Sequence, residues 1–265
     1  MVEPCEDASD YRGMWKGEQA FRLRGDGVWD RRTAGRRFVA IDARRPESAL
    51  PRQAVQRIAR GKYYFSWRGI RTMKDPLDLA LYSQLLWELK PRTVIEFGSY
   101  AGGSAVWLAD TLNSLGLDGR VYSVDLDPDL LDPRAADHPT VSFLHGDCAD
   151  VASVLPPDVL AGLPHPWLVI EDVHVNLTGL LGYLHTDGLH ASDYLIVEDT
   201  NPEIPAATNA DELPDDYVPF GTAKLEELTR FLQHHGDTYA VDTYYTDFFG
   251  YNATWNWNSF IRRMR

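Results

Sequence analysis

Thr93-Val94-Ile95-Glu96-Phe97-Gly98-Ser99-Tyr100-Ala101-Gly102-Gly103-Ser104 is the stretch on which the reading of the chain turns. Its first five residues are a short, largely apolar and β-branched run, the pattern of a strand buried on both faces of a parallel sheet. Gly98, Gly102 and Gly103 then permit a sharp turn and let a ligand approach the backbone before a helix begins. Strand, glycine-rich turn and helix in that order make a nucleotide-type cofactor loop. The spacing is not GxGxxG, and Glu96 at the strand's end would repel a pyrophosphate while welcoming a cationic ligand. S-adenosylmethionine, with its sulfonium and amino groups, is such a ligand.

On the N-terminal side, Leu77, Leu81, Leu85 and Leu89 recur at four-residue spacing between Asp75-Pro76 and Pro91, which predicts a helix with both ends marked. On the C-terminal side, Arg120 to Asp125, Val141 to Leu144, Trp167 to Ile170 and Tyr194 to Val197 read as further strands alternating with helical segments, one of them at Leu177 to Leu184. That alternation predicts βαβ units. A Pro- and Asp-rich loop from Pro202 to Pro219 precedes a helix over Thr222 to His234 and closing strands at Tyr239 to Thr243 and Phe260 to Arg263. The expected fold class is α/β, a doubly wound, Rossmann-like sheet, mostly parallel with an antiparallel C-terminal edge. Residues 1–60 lack sustained periodicity apart from a short helical candidate at Ala54 to Ile58. Their Arg-rich part (Arg31, Arg32, Arg36, Arg37, Arg44, Arg45) reads as an arm, lid or oligomer contact ahead of a catalytic domain over residues 61–265.

In such a sheet ligands bind at the carboxyl ends of the strands, and acidic residues collect there. Asp125 closes the second strand, where a carboxylate can accept both hydrogen bonds of a ribose diol; Gly146-Asp147 after the third is placed to border an adenine. Glu171-Asp172 and Glu198-Asp199 follow the fourth and fifth. Clustered carboxylates need protons or a cation to neutralise them, and oxygen-only ligands select a hard ion such as Mg2+. The alternative for each pair is helix capping. His174, three residues past Glu171, has an imidazole able to take a proton from a substrate hydroxyl near neutral pH. An aromatic tail, Tyr244 to Trp257, reads equally as a stacking pocket or as core.

Composition narrows the classes. A net charge of -13 argues against a general nucleic-acid binder, and no apolar run approaches a membrane span. The acidic start, Met1-Val2-Glu3-Pro4-Cys5-Glu6-Asp7, lacks the flank and apolar stretch of a secretory signal and predicts a cytoplasmic chain. Cys5 and Cys148, far apart and outside any CxxC, suggest neither a disulfide framework nor a zinc site.

Trp67-Arg68-Gly69, Lys74-Asp75-Pro76 with Asp78, Ile95-Glu96-x-Gly98 with Gly102-Gly103-Ser104, Asp125-Leu126-Asp127, Gly146-Asp147 and Ile196-Val197-Glu198-Asp199-Thr200, in this order, resemble the cephalosporin hydroxylase-like methyltransferases. That family includes metal-dependent macrolide sugar and rhamnosyl O-methyltransferases, and the resemblance covers roughly Tyr64 to Arg263. It implies a class I methyltransferase sheet. It also implies S-adenosylmethionine held by Glu96, Gly98, Ser104, Asp125 and Asp147, and Mg2+ held by Glu198, Asp199 and an earlier acid followed three residues later by His. The spacing to His174 assigns that earlier acid to Glu171, where the family usually has Asp, with Asp172 beside it. His174 would be the base for a hydroxyl of a small specialised metabolite, and the enzyme a homo-oligomer. Carbon, nitrogen or carboxyl acceptors are compatible with the same fold. Outside the class stand a nicotinamide dehydrogenase using Asp125 for ribose, and a cofactor-binding module without turnover.

Overall fold

The computed structural model describes residues 37–203 and 220–265. Cys5, Arg31, Arg32, Arg36 and most of the Pro202 to Pro219 loop lie outside them. The strands are β1 (Phe38–Val39), β2 (Ser66–Trp67), β3 (Ile70–Arg71), β4 (Thr93–Phe97), β5 (Arg120–Asp125), β6 (Val141–His145), β7 (Trp167–Glu171), β8 (Tyr194–Val197), β9 (Tyr239–Asp242) and β10 (Phe260–Arg263). The principal helices are α1 (Arg52–Tyr64), α2 (Pro76–Leu89), α3 (Gly103–Ser114), α4 (Leu177–Asp187) and α5 (Phe220–His234).

Eight strands form one sheet in the order β1-β9-β10-β8-β7-β4-β5-β6. The last five in that order, β8 to β6, run parallel. β10 inserts antiparallel between β8 and β9, and β1 pairs antiparallel with β9 at the edge. The antiparallel C-terminal edge is therefore present, extended by two residues from the N-terminal segment. From β4 the chain winds outward through β5 and β6, then returns to β7 and β8 on the other side. The reversal between β4 and β7 opens a crevice at their carboxyl ends.

The pleat of the central strands divides the core in two. Ile95, Phe97, Val169, Leu195 and Val197 face one layer, built with α4 and α5. Val94, Leu168, Ile170 and Ile196 face the other, built with α2 and α3. Asp75 caps α2 by accepting from the amides of Leu77 and Asp78, with Pro76 at the first helical position, as the sequence signals predict. Gly102 caps α3 at φ +82°, where a β-carbon would press on Leu131 and Ala135. Among the described residues no helix is long and apolar enough to cross a membrane.

The helix expected at Ala54 to Ile58 runs much further, from Arg52 to Tyr64, through the residue-60 boundary. Its Val55 and Ala59 pack on Trp255 of the tail. Val39 and Ile41 join the main core, and Arg37 is buried against Asp242 at 2.7 Å.

Candidate active site

Strand register brings the site together. Phe97 lies opposite Glu171, and Glu171 opposite Val197. The next residue on each strand, Gly98, Asp172 and Glu198, therefore forms a second row across the crevice, tied by amides donating from Asp172 to Phe97 and from Glu198 to Glu171. Side chains alternate between faces along a strand. Glu171 shares the face of Phe97 and Val197, whereas Asp172 and Glu198 share the opposite face with Glu96.

Buried lysines stand against the acids, one of them serving several at once. On one face, Lys224 of α5 sits 2.8 Å from Glu171 Oε2. On the other, Lys74 Nζ lies 2.5 Å from Asp172 Oδ2, 2.7 Å from Glu198 Oε1 and 4.0 Å from Glu96 Oε1. Lys62 of α1 lies 3.0 Å from Asp199 Oδ1. Burial pushes the Glu171 carboxyl up to about 7, with Lys224 resisting. Burial and then the nearby Asp172 raise Glu198 as well. Asp199 is held well below the usual carboxylate range because Lys62 and Lys224 outweigh its burial. For Lys74, burial is outweighed by Asp172, Glu198 and Glu96, so its ammonium is held charged. Among the described residues no group of three or more His, Cys, Asp or Glu is arranged around a metal position; the lysine ammoniums stand between the acids. The donor chemistry nonetheless suits a hard cation, since Asp172 Oδ2 and Glu198 Oε1 already converge on one positive atom.

A cavity of about 500 Å³ opens over this row, lined by Gly98, Tyr100, Asp125, Asp172, His174, Asp199, Phe220, Trp255, Lys62, Tyr63 and Met73 with two valines. Asp125 accepts from the amides of Tyr100 at 2.7 Å and Asp127 at 3.1 Å, which fixes its carboxylate at the tip of β5. Asp125 and Tyr100 also line a small slot of about 130 Å³ with Leu131, Phe143 and Leu144, bordered by Asp127 and His145. The His174 ring packs 4.6 Å from that of Phe220. Met73, Tyr100 and Asp199, all on the cavity, have positive φ (56°, 45° and 60°), backbone strain of the kind that concentrates at ligand sites.

Of the expected site residues, the structure brings Gly98, Asp125, His174 and Asp199 to this one cavity. Glu96, Ser104 and Glu198 are buried and absent from its lining. Glu96 accepts from Ser123 at 2.6 Å, a hydroxyl that in turn pairs with Ser99. Asp147 is exposed outside the cavity and caps a short turn through the Ala149 amide. Glu171 is on the far face, and Asp172, its neighbour, takes the place facing the cavity. In the tail, Tyr244, Tyr245 and Trp257 are core residues, while Trp255 reaches the cavity. The three lysines went unread as site residues. A signal existed: the chain has only five lysines among its 26 basic residues, and Lys62, Lys74 and Lys224 are all buried.

A doubly wound sheet with an acid at the tip of β5 and a cavity at its switch point is the architecture of a Rossmann-like methyltransferase. The model of the Rhamnosyl O-methyltransferase/CmcI family matches residues 60–264, and the chain belongs to that family. The rhamnosyl O-methyltransferase of Mycobacterium tuberculosis is 34% identical over 168 residues, covering 57% of this chain and 69% of that protein. Its Mycobacterium leprae counterpart is 34% identical over 139 residues, covering 51% and 60%. Among solved structures, cmcI-D160 Mg-SAM aligns with a TM-score of 0.61 at 27% identity over 77% of this chain and 78% of that one. The CmcI-N160 apo-structure aligns at 0.60 and 28% over 77% of each. The chain is an S-adenosylmethionine-dependent methyltransferase.

Proposed function

We propose that the protein transfers the methyl group of S-adenosylmethionine to a hydroxyl of a small specialised metabolite, a natural product or its sugar, with Mg2+ assisting. The observation that carries this reading is the shared cavity, which joins a ribose-type acid, Asp125, to a second set of acids, Asp172 and Asp199, and to an imidazole, His174. The rhamnosyl substrates named for the mycobacterial relatives support a hydroxylated acceptor.

Asp125 would hold the ribose diol, Gly98 would let the cofactor lie against the backbone, and the slot under Tyr100 and Phe143 would take the adenine. The buried carboxylate of Glu96 favours a cationic cofactor, and Ser104 and Ser123 orient it. Asp172, Glu198 and Asp199 are the residues that would hold Mg2+; Glu171 is set aside because the pleat turns it to the other face. A hard cation there supplies a Lewis acid that lowers the pKa of an acceptor hydroxyl. His174 takes the hydroxyl proton on a ring nitrogen as the oxygen attacks the methyl carbon in line. The carbon–sulfur bond breaks and S-adenosylhomocysteine leaves. Tyr63, Phe220 and Trp255 offer aromatic faces against which a ring-shaped acceptor can stack. A homo-oligomer and a cytoplasmic location complete the proposal.

The test is calorimetric titration of S-adenosylhomocysteine into chelator-treated protein, with and without Mg2+ and with NAD as control, followed by a methylation screen over hydroxylated acceptors. Homocysteine-form binding together with Mg2+-stimulated product formation supports the reading. Methylation insensitive to both chelator and Mg2+ rejects the metal, and transfer confined to amines or carboxylates rejects the hydroxyl acceptor.

A further inference from the structure

Asp199 is the most constrained acid of the site. Its backbone is held at φ +60° by an amide hydrogen bond to Asn256 Oδ1 at 2.9 Å. Asn256 is itself pinned, since its Nδ2 donates to Asp78 Oδ2 at 2.8 Å and to the Tyr82 hydroxyl at 3.3 Å. On the side chain, Trp255 Nε1 donates to Oδ1 at 2.6 Å and Lys62 Nζ reaches the same Oδ1 at 3.0 Å. The Lys62 ammonium also lies 4.7 Å from the Trp255 ring centre, a cation–π contact that ties the two donors together. Among the described residues no hydrogen bond reaches Oδ2. The carboxylate keeps 12% exposure and borders the cavity.

We infer that Trp255 and Lys62 are positioning residues that lock the Asp199 carboxylate by occupying Oδ1, so that it presents a single oxygen, Oδ2, to the cation in the cavity. The inference rests on the metal reading above and specifies how one ligand of that site is built. A carboxylate torsion is broad and nearly two-fold, so an unclamped Asp would exchange its oxygens freely. Two donors on one oxygen remove that freedom. A ligand with one oxygen already spoken for takes one coordination position and leaves the next open for an acceptor oxygen. The clamp is assembled by hydrophobic packing: Val55 and Ala59 of α1 bury Trp255 in a cluster of their own, which brings Lys62 to the site from the N-terminal helix. Nothing in the local sequence around Glu198-Asp199 predicts a partner 137 residues upstream.

The experiment measures Mg2+ affinity calorimetrically on the full-length, chelator-treated chain saturated with S-adenosylhomocysteine. Trp255→Phe removes the indole N–H and keeps an aromatic ring. Replacement of Trp255 by 3-benzothienylalanine removes only the N–H and keeps the shape, which covers the case in which Trp255→Phe packs poorly. With the clamp as inferred, both weaken Mg2+ binding by roughly 10- to 100-fold, the usual loss of an outer-shell partner. S-adenosylhomocysteine affinity stays at the wild-type level, and methylation by the variants is restored by high Mg2+, a rescue that a merely structural role would not show. Wild-type Mg2+ affinity in the benzothienylalanine protein, beside a clear loss in Asp199→Asn, overturns the clamp and leaves the metal reading standing. Wild-type affinity in Asp199→Asn overturns both.

Discussion

Gly98→Ala is the sharpest test of how the crevice is built. Gly98 follows β4 directly at φ +102°, a conformation that side chains oppose. Its amide donates to Val124 at 2.8 Å and the Asp172 amide donates to Phe97 at 2.8 Å, so the ends of β5, β4 and β7 are stitched together at this point. An added β-carbon would collide with the Asp172 carbonyl oxygen, lying 3.0 Å from its carbonyl carbon and 3.2 Å from Val173 Cγ1. The two nearest obstructing atoms are backbone and cannot swing aside as a side-chain tip would. Strain in such a conformation costs about 1–3 kcal/mol, and displacing the end of β7 brings the total to roughly 3 kcal/mol. At roughly 2–4 °C per kcal/mol for a chain of this size, the melting temperature should fall by about 10 °C. Because the displaced residue is Asp172, S-adenosylhomocysteine and Mg2+ affinities should fall with it. Gly182→Ala is the control: it lies within α4 with nothing within 4 Å of its β-carbon, so it should be neutral or gain about 0.5–1 kcal/mol. Thermal melts that place the two variants together, with homocysteine-form binding intact in both, would refute the argument.

Other perturbations separate the parts of the site. Asp125→Ala removes the carboxylate expected to bind the ribose and should weaken S-adenosylhomocysteine by about 10- to 100-fold in calorimetry, whereas His174→Ala should leave that affinity unchanged and lower kcat by about 100-fold or more. Asp242→Ala removes a carboxylate that accepts from Arg37 at 2.7 Å, from the Tyr194 hydroxyl at 2.9 Å and from the Tyr244 amide at 3.0 Å; loss of a buried ion-pair partner should cost about 3–5 kcal/mol in denaturant unfolding. Burial pushes the Glu171 carboxyl up to about 7 in the folded protein, while an unfolded chain releases that proton near the ordinary 4.5. Between those values the folded state binds the extra proton, so stability falls as pH rises through the window, by roughly 3 kcal/mol at most from this group. Chelated protein should therefore melt lower at neutral than at mildly acidic pH, and Glu171→Gln should flatten that dependence; an unchanged slope would show that the Glu171 proton is not its source.

The fold was legible because parallel strands buried on both faces write themselves as continuous apolar runs. β4, β5 and β8 have the bounds their sequences predict, and β6 and β7 each run one residue further. β1 and the β2–β3 hairpin escape because two-residue strands carry no periodicity, and α1 extends past its sequence signal because Val55, Ile58 and Ala59 mark its apolar face among flanking turns rich in Arg, Gln and Lys. The acids were legible as a group, since they cluster at strand ends. Which acid faces which way was not: spacing from His174 favours Glu171, but a one-residue step along a strand reverses the face, and register puts Asp172 with Glu198. The aromatic tail divides on similarly three-dimensional grounds, since Tyr244 and Tyr245 close the core against α2 and β10 while Trp255 alone reaches the cavity.

The lysines give this arrangement its electrostatic logic. In a chain of net charge -13, four carboxylates at adjacent strand ends would drive one another to take up protons unless cations stood among them. Lys74 answers to Asp172 and Glu198 at once, a task suited to an ammonium, a point charge on a flexible stem, and poorly suited to the planar fork of an arginine, which favours one carboxylate held bidentately. Arg44 shows that second mode on Asp247, and Arg37 holds Asp242 through two of its nitrogens while the third reaches Glu88, both in the structural part of the molecule. Arginine thus supports the frame and lysine the crevice. A divalent cation entering the crevice would meet carboxylates already gathered and partly neutralised, with Lys74 the group it must displace from Asp172 and Glu198. Glu96 Oε1, buried without a hydrogen-bond partner 4.0 Å from the Lys74 ammonium, is the acceptor toward which that ammonium would then turn.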